Sequence, residues 1–143
     1  EVSRSHSETV YLKLRPVDPR SLMQGDYMRL AYEVTVDISE AMGAPERDVV
    51  KDEGRAVLRV DEDRIARFER IYRGGELRED ELLLEWTQTD TIHLEVESFM
   101  FQEGHADAYA DAEYAEVKLS EDGEMHLTGL RDNDLEPIKP GEQ

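Results

Sequence analysis

Apolar and polar residues alternate along much of the chain, the period of a strand with one buried face. Val10, Leu12 and Leu14 share one face, with Tyr11 and Lys13 on the other. The longest run is Met28, Leu30, Tyr32, Val34, Val36 and Ile38, separated by Arg29, Ala31, Glu33, Thr35 and Asp37. That run predicts one long strand over 28–38, because a helix would scatter those positions around its circumference. Ala56, Leu58 and Val60 predict a further strand. Ile65–Tyr72 predicts another, with Ala66, Phe68 and Tyr72 on one face and Gly74-Gly75 as its stop. Leu82, Leu84 and Trp86 share the next inward face. In 92–101, Ile92, Leu94 and Val96 keep one parity, while Phe99 and Phe101 take the other. This phase shift near Glu97-Ser98 predicts a bulge, or a strand passing between two packing environments. Val117 and Leu119 should face Met125 and Leu127 across the turn Ser120-Glu121-Asp122-Gly123.

The remaining segments read differently. Residues 105–114 also alternate, but their alanines favour a short helix over a strand. Pro16, Pro19 and Gly25 make 15–26 a loop. Gly43, Pro45 and Gly54 make 39–54 a loop with one helical turn, the segment expected to be most mobile. Beyond Leu135, Pro137, Pro140 and Gly141 predict a fraying tail, above all over 139–143. The expected fold is mainly β, a single domain over 1–143. About eight antiparallel strands should form a twisted, partly closed sheet or small barrel, with one short helix near 105–114.

Charge narrows the function classes. Against 17 Lys+Arg stand 35 Asp+Glu, a net charge of −18 in 143 residues. Duplex nucleic acid is excluded as a partner, since phosphate contacts need clustered Lys and Arg. The acid excess and the scarcity of lysine fit saline surroundings, where screening makes self-repulsion tolerable. The chain has no cysteine, so disulfides, thiolate metal sites and cysteine nucleophiles are absent. No run of 18 apolar residues spans a bilayer within the sequence. Residue 1 is Glu rather than Met, which leaves room for a signal peptide or anchor upstream, and its absence from this sequence carries no information.

The block Gly25-Asp26-Tyr27-Met28-Arg29-Leu30-Ala31-Tyr32 resembles the signature of the bacterial GDYXXLXY protein family. Its flanks agree. Val10–Leu14 leads into Pro16-Val17-Asp18-Pro19-Arg20-Ser21, which is similar to the segment preceding that signature. Ser98-Phe99-Met100-Phe101-Gln102-Glu103-Gly104 resembles the family's second block, aromatic residues followed by Glu-Gly. Tyr109, Ala112 and Tyr114, then Gly129–Asp132, resemble its closing segment. The similarity runs from about residue 8 to residue 138. It implies a domain facing outside the cytoplasm, in the periplasm or cell envelope, behind an N-terminal membrane-spanning segment. It also implies a polytopic membrane protein as companion. The family carries no established catalytic residues.

Candidate chemistry centres on the signature and the second block. Asp26 enters a strand from a turn, where its carboxylate can accept backbone N–H bonds or serve a ligand. Asp18, between two prolines, has the same two roles open to it. Arg15, Arg20 and Arg29 can pair with Asp18 and Asp26. Glu103, before Gly104, lies beyond the Phe99 and Phe101 aromatics, as in a small-ligand pocket. Binding is therefore assigned to Asp26, Arg29 and Glu103. Asp18, Gly25, Asp26, Tyr27, Leu30, Tyr32 and Gly104 are assigned to the structural motif. Tyr27 and Tyr32 should lie on opposite faces, with Tyr32 in the core and its hydroxyl partnered.

Weaker signals have plainer explanations. His105 near Glu103 and Asp107 offers a poor zinc site, with no close second histidine. Asp61-Glu62-Asp63 and Asp132-Asn133-Asp134 read as solvated turns rather than calcium loops. Leu22-x-x-Gly25-Asp26 is loosely similar to the stretch after the nucleophile of signal-peptidase-type serine proteases. Here Pro16 stands where that nucleophile should be, Ser21 is misplaced, and Lys13 is the nearest candidate base. The expectation is a non-enzymatic accessory or interaction module with a membrane-protein partner and no cofactor or metal. The alternative is a small-ligand-binding or hydrolytic domain using carboxylates near Asp26 and Glu103.

Overall fold

The computed structural model describes residues 7–15, 23–24, 27–43, 52–101 and 106–138. The mainly β expectation holds, with ten strands among the described residues rather than about eight. They form three antiparallel sheets, none closed into a barrel. The first sheet has β1 (Ser7–Lys13) beside β9 (Tyr114–Ser120), which pairs in turn with β10 (Met125–Arg131). The second joins β2 (Met23–Gln24), β3 (Tyr27–Arg29) and β8 (Ser98–Met100). The third runs in the order β5 (Ala66–Ile71), β4 (Asp52–Val60), β6 (Glu81–Gln88) and β7 (Ile92–His93).

The sheets share one core. Val10, Leu12 and Leu14 bury one face of β1 and its end, as the alternation requires. Val117 and Leu119 oppose Leu127 and Met125 across the β9–β10 turn, the register read from the sequence. Gly123 in that turn has φ +100°, a conformation that side-chain-bearing residues rarely adopt. Its carbonyl accepts the Glu85 N–H at 2.9 Å, so the hairpin tip docks on the edge of β6. Tyr11 N–H donates to the Arg64 carbonyl at 2.9 Å, which ties β1 to the turn before β5.

The long strand expected over 28–38 is not formed. Its residues make β3, an extended link and α1 (Glu33–Met42). The alternation is real through Val34, since Met28, Leu30, Tyr32 and Val34 are all buried. The phase then changes, because Val34 and Ile38, four residues apart, bury one helical stripe. Both the N–H and the hydroxyl of Thr35 donate to the Tyr32 carbonyl, at 3.3 and 2.7 Å, closing the first turn. Glu40, Ala41 and Met42 are strong helix formers that extend it. The Gly43 N–H donates to the Ser39 carbonyl and ends it. A period-2 run of β-branched residues therefore hid a helix start.

Smaller corrections have equally local causes. In β5 a bulge between Arg70 and Phe68 leaves Glu69 extra, so Ile71 replaces Tyr72 on the core side. The strand expected over 92–101 breaks at Leu94–Glu97. Its halves, β7 and β8, join different sheets, so it does pass between two packing environments. The helix expected near 105–114 shrinks to a 3-10 turn at Ala106–Tyr109, after which Tyr114 opens β9. The tail beyond Leu135 is tied where it was expected to fray: Pro137 bridges to Arg131, and the Ile138 N–H donates to the Leu130 carbonyl. Residues 44–51, where a mobile loop was expected, and the tail 139–143 lie outside the described residues.

Candidate functional site

The signature lies against the second block. β3 and β8 are antiparallel, with Tyr27 opposite Met100, Met28 opposite Phe99 and Arg29 opposite Ser98. The closing segment joins them, because the Tyr109 ring packs edge-on to Phe99 at 5.0 Å and stacks on Phe101 at 5.4 Å. The second block and the nearby Tyr109 thus form one aromatic cluster, and the distant signature strand pairs alongside it.

Extended backbone from β3 to Tyr32 separates two faces. Met28, Leu30 and Tyr32 point into the core, and Arg29 points to solvent. Tyr32 is 1% exposed, and its hydroxyl donates to the Val96 carbonyl at 2.7 Å. Burial, then the nearby Glu97 carboxylate, push the Tyr32 hydroxyl well above the ordinary tyrosine range. The hydroxyl is therefore a fixed donor that holds the 94–97 break against the signature.

That break is organised by Glu97. One carboxylate oxygen accepts the Leu94 N–H at 3.0 Å, and the other lies 3.2 Å from His93 Nδ1. His93 Nε2 lies 3.0 Å from the Thr91 hydroxyl. A histidine protonated on Nδ1 donates to Glu97 and accepts from Thr91, which satisfies both contacts. Between this network and α1 runs a cleft of about 480 Å³. Arg15, Arg29, Ala31, Val36, Glu40 and His93 are among the residues that line it.

Of the assigned binding residues, Arg29 stands at this cleft, exposed and without an ion pair among the described residues. Asp26 and Glu103 lie outside the described residues, as do Asp18, Gly25 and Gly104. The Tyr27 backbone is placed, in β3. Leu30 and Tyr32 serve the structural role assigned to them, as buried anchors. Arg20, Pro16, Ser21, His105 and Glu103 also lie outside, so neither the zinc reading nor the nucleophile position is tested. Lys13 is placed, and it is a poor base. Its ammonium bonds Glu113 at 3.0 Å, and that hydrogen bond holds its pKa above the ordinary lysine value.

The acidic turns use their carboxylates locally. Asp61 accepts N–H bonds from Asp63 and Ile65 and pairs with Arg67. Asp132 accepts from the N–H groups of Asp134 and Glu136. Among the described residues no three His, Asp or Glu side chains converge on a metal-sized point. Glu81, which the sequence reading passed over, has a side chain only 2% exposed. Arg70 clamps both its oxygens at 2.8 and 3.2 Å, and the Arg78 N–H adds a third bond. These bonds lower the Glu81 carboxyl to about 2. The only hint in the sequence was a glutamate directly before the run Leu82-Leu83-Leu84.

A second cleft, about 500 Å³, is lined by Arg55, Glu85 and Glu95 among others. Burial raises the Glu85 carboxyl, Arg55 opposes that, and the charges of Glu124, Glu95 and Asp122 add to it. No curated protein and no solved structure is detectably similar to the chain. The GDYXXLXY family model matches residues 1–130, and the chain belongs to that family of GDYXXLXY proteins.

Proposed function

We propose that this domain is an interaction or accessory module of a membrane-associated system, held outside the cytoplasm by an upstream anchor and bound to a membrane-protein partner. The observation that carries the reading is how the signature is used. Leu30 and Tyr32 are scaffold, while Arg29 is presented outward. Across β8, Met100 is 66% exposed, an exposed large apolar side chain beside the signature strand. A charged group and an apolar group on one small sheet suit recognition of a protein surface.

The test places a photo-crosslinking residue at Arg29 or Met100 in the full-length protein in its native membrane. An adduct with a co-encoded polytopic membrane protein from these positions, and none from Glu62 in the turn before β5, is the expected result. Equal yields from all three positions, or no adduct from Arg29 and Met100, overturns the reading.

A further inference from the structure

The cleft between α1 and residues 91–97 holds two arginines in an arrangement that the accessory role does not require. Leu14 and Tyr32 form an antiparallel bridge, and the Arg15 N–H donates to the Ala31 carbonyl at 2.7 Å. Arg15 therefore sits opposite Ala31. Arg29, two residues earlier on the same strand face, is its diagonal neighbour. Both arginines are exposed and both line the cleft. Ala31, the residue opposite Arg15, carries only a methyl group and also lines the cleft.

Like charges placed this way repel. Six other arginines are neutralised. Arg55, Arg59, Arg64, Arg67, Arg70 and Arg131 each have a carboxylate within 4 Å. Arg15 and Arg29 have no such partner among the described residues, in a chain with 35 acidic side chains. Arg73 and Arg78 also lack an ion pair among the described residues but do not line this cleft. An anion between them would offset the repulsion and accept from both forks.

The other end of the cleft limits what that anion can be. Glu40 and Glu97 line the same space, and the whole molecule carries −18. A second negative charge would be repelled locally and at long range. A net-neutral ligand with one carboxylate avoids both penalties, and its ammonium end suits Glu40. The volume, about 480 Å³, is in the range of small-molecule sites. We infer that this cleft binds the carboxylate of a small zwitterion, an amino acid or the end of a short peptide, between Arg15 and Arg29. The site shares Arg29 with the membrane-partner reading but does not depend on it, since the test uses the chain without any partner.

Backbone amide shifts of the whole 143-residue chain test the inference. Glutamine is the free-amino-acid probe and tetraglycine the peptide probe, in separate arms. Saturable shifts at Ala31, Thr35, Ser39 and Thr91 are expected in at least one arm, and the tighter arm identifies the source. Arg15→Gln and Arg29→Gln should each weaken binding about tenfold or more, the loss of a charge-assisted bond. Arg78→Gln, outside the cleft, should leave it unchanged. Glutaminamide, whose carboxylate is capped, and the dianion glutarate should both bind more weakly than glutamine. No saturable shift in either arm, an unchanged response in both arginine variants, or equal binding of glutaminamide overturns the inference. Melting curves of the variants, expected to match the parent because both side chains are exposed, exclude loss of fold as the cause.

Discussion

Replacing Tyr32 with phenylalanine removes one oxygen atom from the last position of the signature and tests what that residue does. The side chain is 1% exposed and its hydroxyl makes a 2.7 Å bond to the Val96 carbonyl. Phenylalanine keeps the ring packing and leaves that carbonyl without its donor, at a cost of about 1–2 kcal/mol. For a domain of this size that is a melting-point loss of roughly 2–8 °C. The pH dependence gives a second signature. Folding raises the tyrosine pKa, so the stabilisation is complete below the unfolded value of about 10 and is lost as pH rises beyond it. One pH unit above that value, the parent has lost about 1.4 kcal/mol that Tyr32→Phe cannot lose. Urea titrations at pH 7 and pH 11 should therefore show a clear gap closing almost to zero. The other tyrosines ionise in both proteins and cancel in the difference. A gap that is absent at pH 7, or unchanged at pH 11, refutes the buried-donor account.

Three further outcomes follow from the packing and the charges. Gly54→Ala would set a methyl carbon 2.5 Å from Trp86 Cζ2, and this overpacking should cost about 1–3 kcal/mol. Since Trp86 is the only tryptophan, its emission should shift in the same variant, and chemical denaturation followed by fluorescence measures both. Glu81 stabilises above its unfolded pKa of about 4.3, and that contribution is lost as pH falls toward about 2. Acid titrations should thus show Glu81→Gln less stable than the parent at pH 7, with the difference narrowing by pH 2. A double-mutant cycle between Phe99→Leu and Tyr109→Leu should return a coupling of about 0.5–1.5 kcal/mol from their edge-on contact, read from urea midpoints.

What the sequence disclosed was the side-chain period, and what it concealed was where that period changes. Val10 to Leu14, Ala56 to Val60 and the Val117–Leu127 hairpin are strands whose partners lie in the same period, so pattern and structure agree. Residues 28–38 failed because Val34 and Ile38 satisfy both the alternating template and the helical one. Only the tertiary cover over Val34 and Ile38, and the Thr35 turn, decide between them. The same kind of ambiguity spoiled Tyr72, since a bulge at Glu69 is invisible without the partner strand. For the site, Leu30, Tyr32 and Arg29 were recognised through the signature. Arg15 was weighed only as a partner for nearby aspartates, because its place beside Ala31 depends on one isolated bridge. Glu97 appeared as a phase shift and proved to be the residue whose carboxylate accepts the Leu94 N–H and faces His93 at the break between β7 and β8.

The docking of the β9–β10 tip has a consequence for solubility. β6 carries Leu82, Leu83 and Leu84 in succession, and its unpaired margin is the kind of template on which a second copy could stack. β7 pairs with only its last two residues, and the Gly123 carbonyl takes the Glu85 N–H farther in. A glycine turn at the far end of the chain is thus a guard against polymerisation. Lengthening that turn should first show itself as fibres at high salt, where the −18 charge no longer keeps the molecules apart.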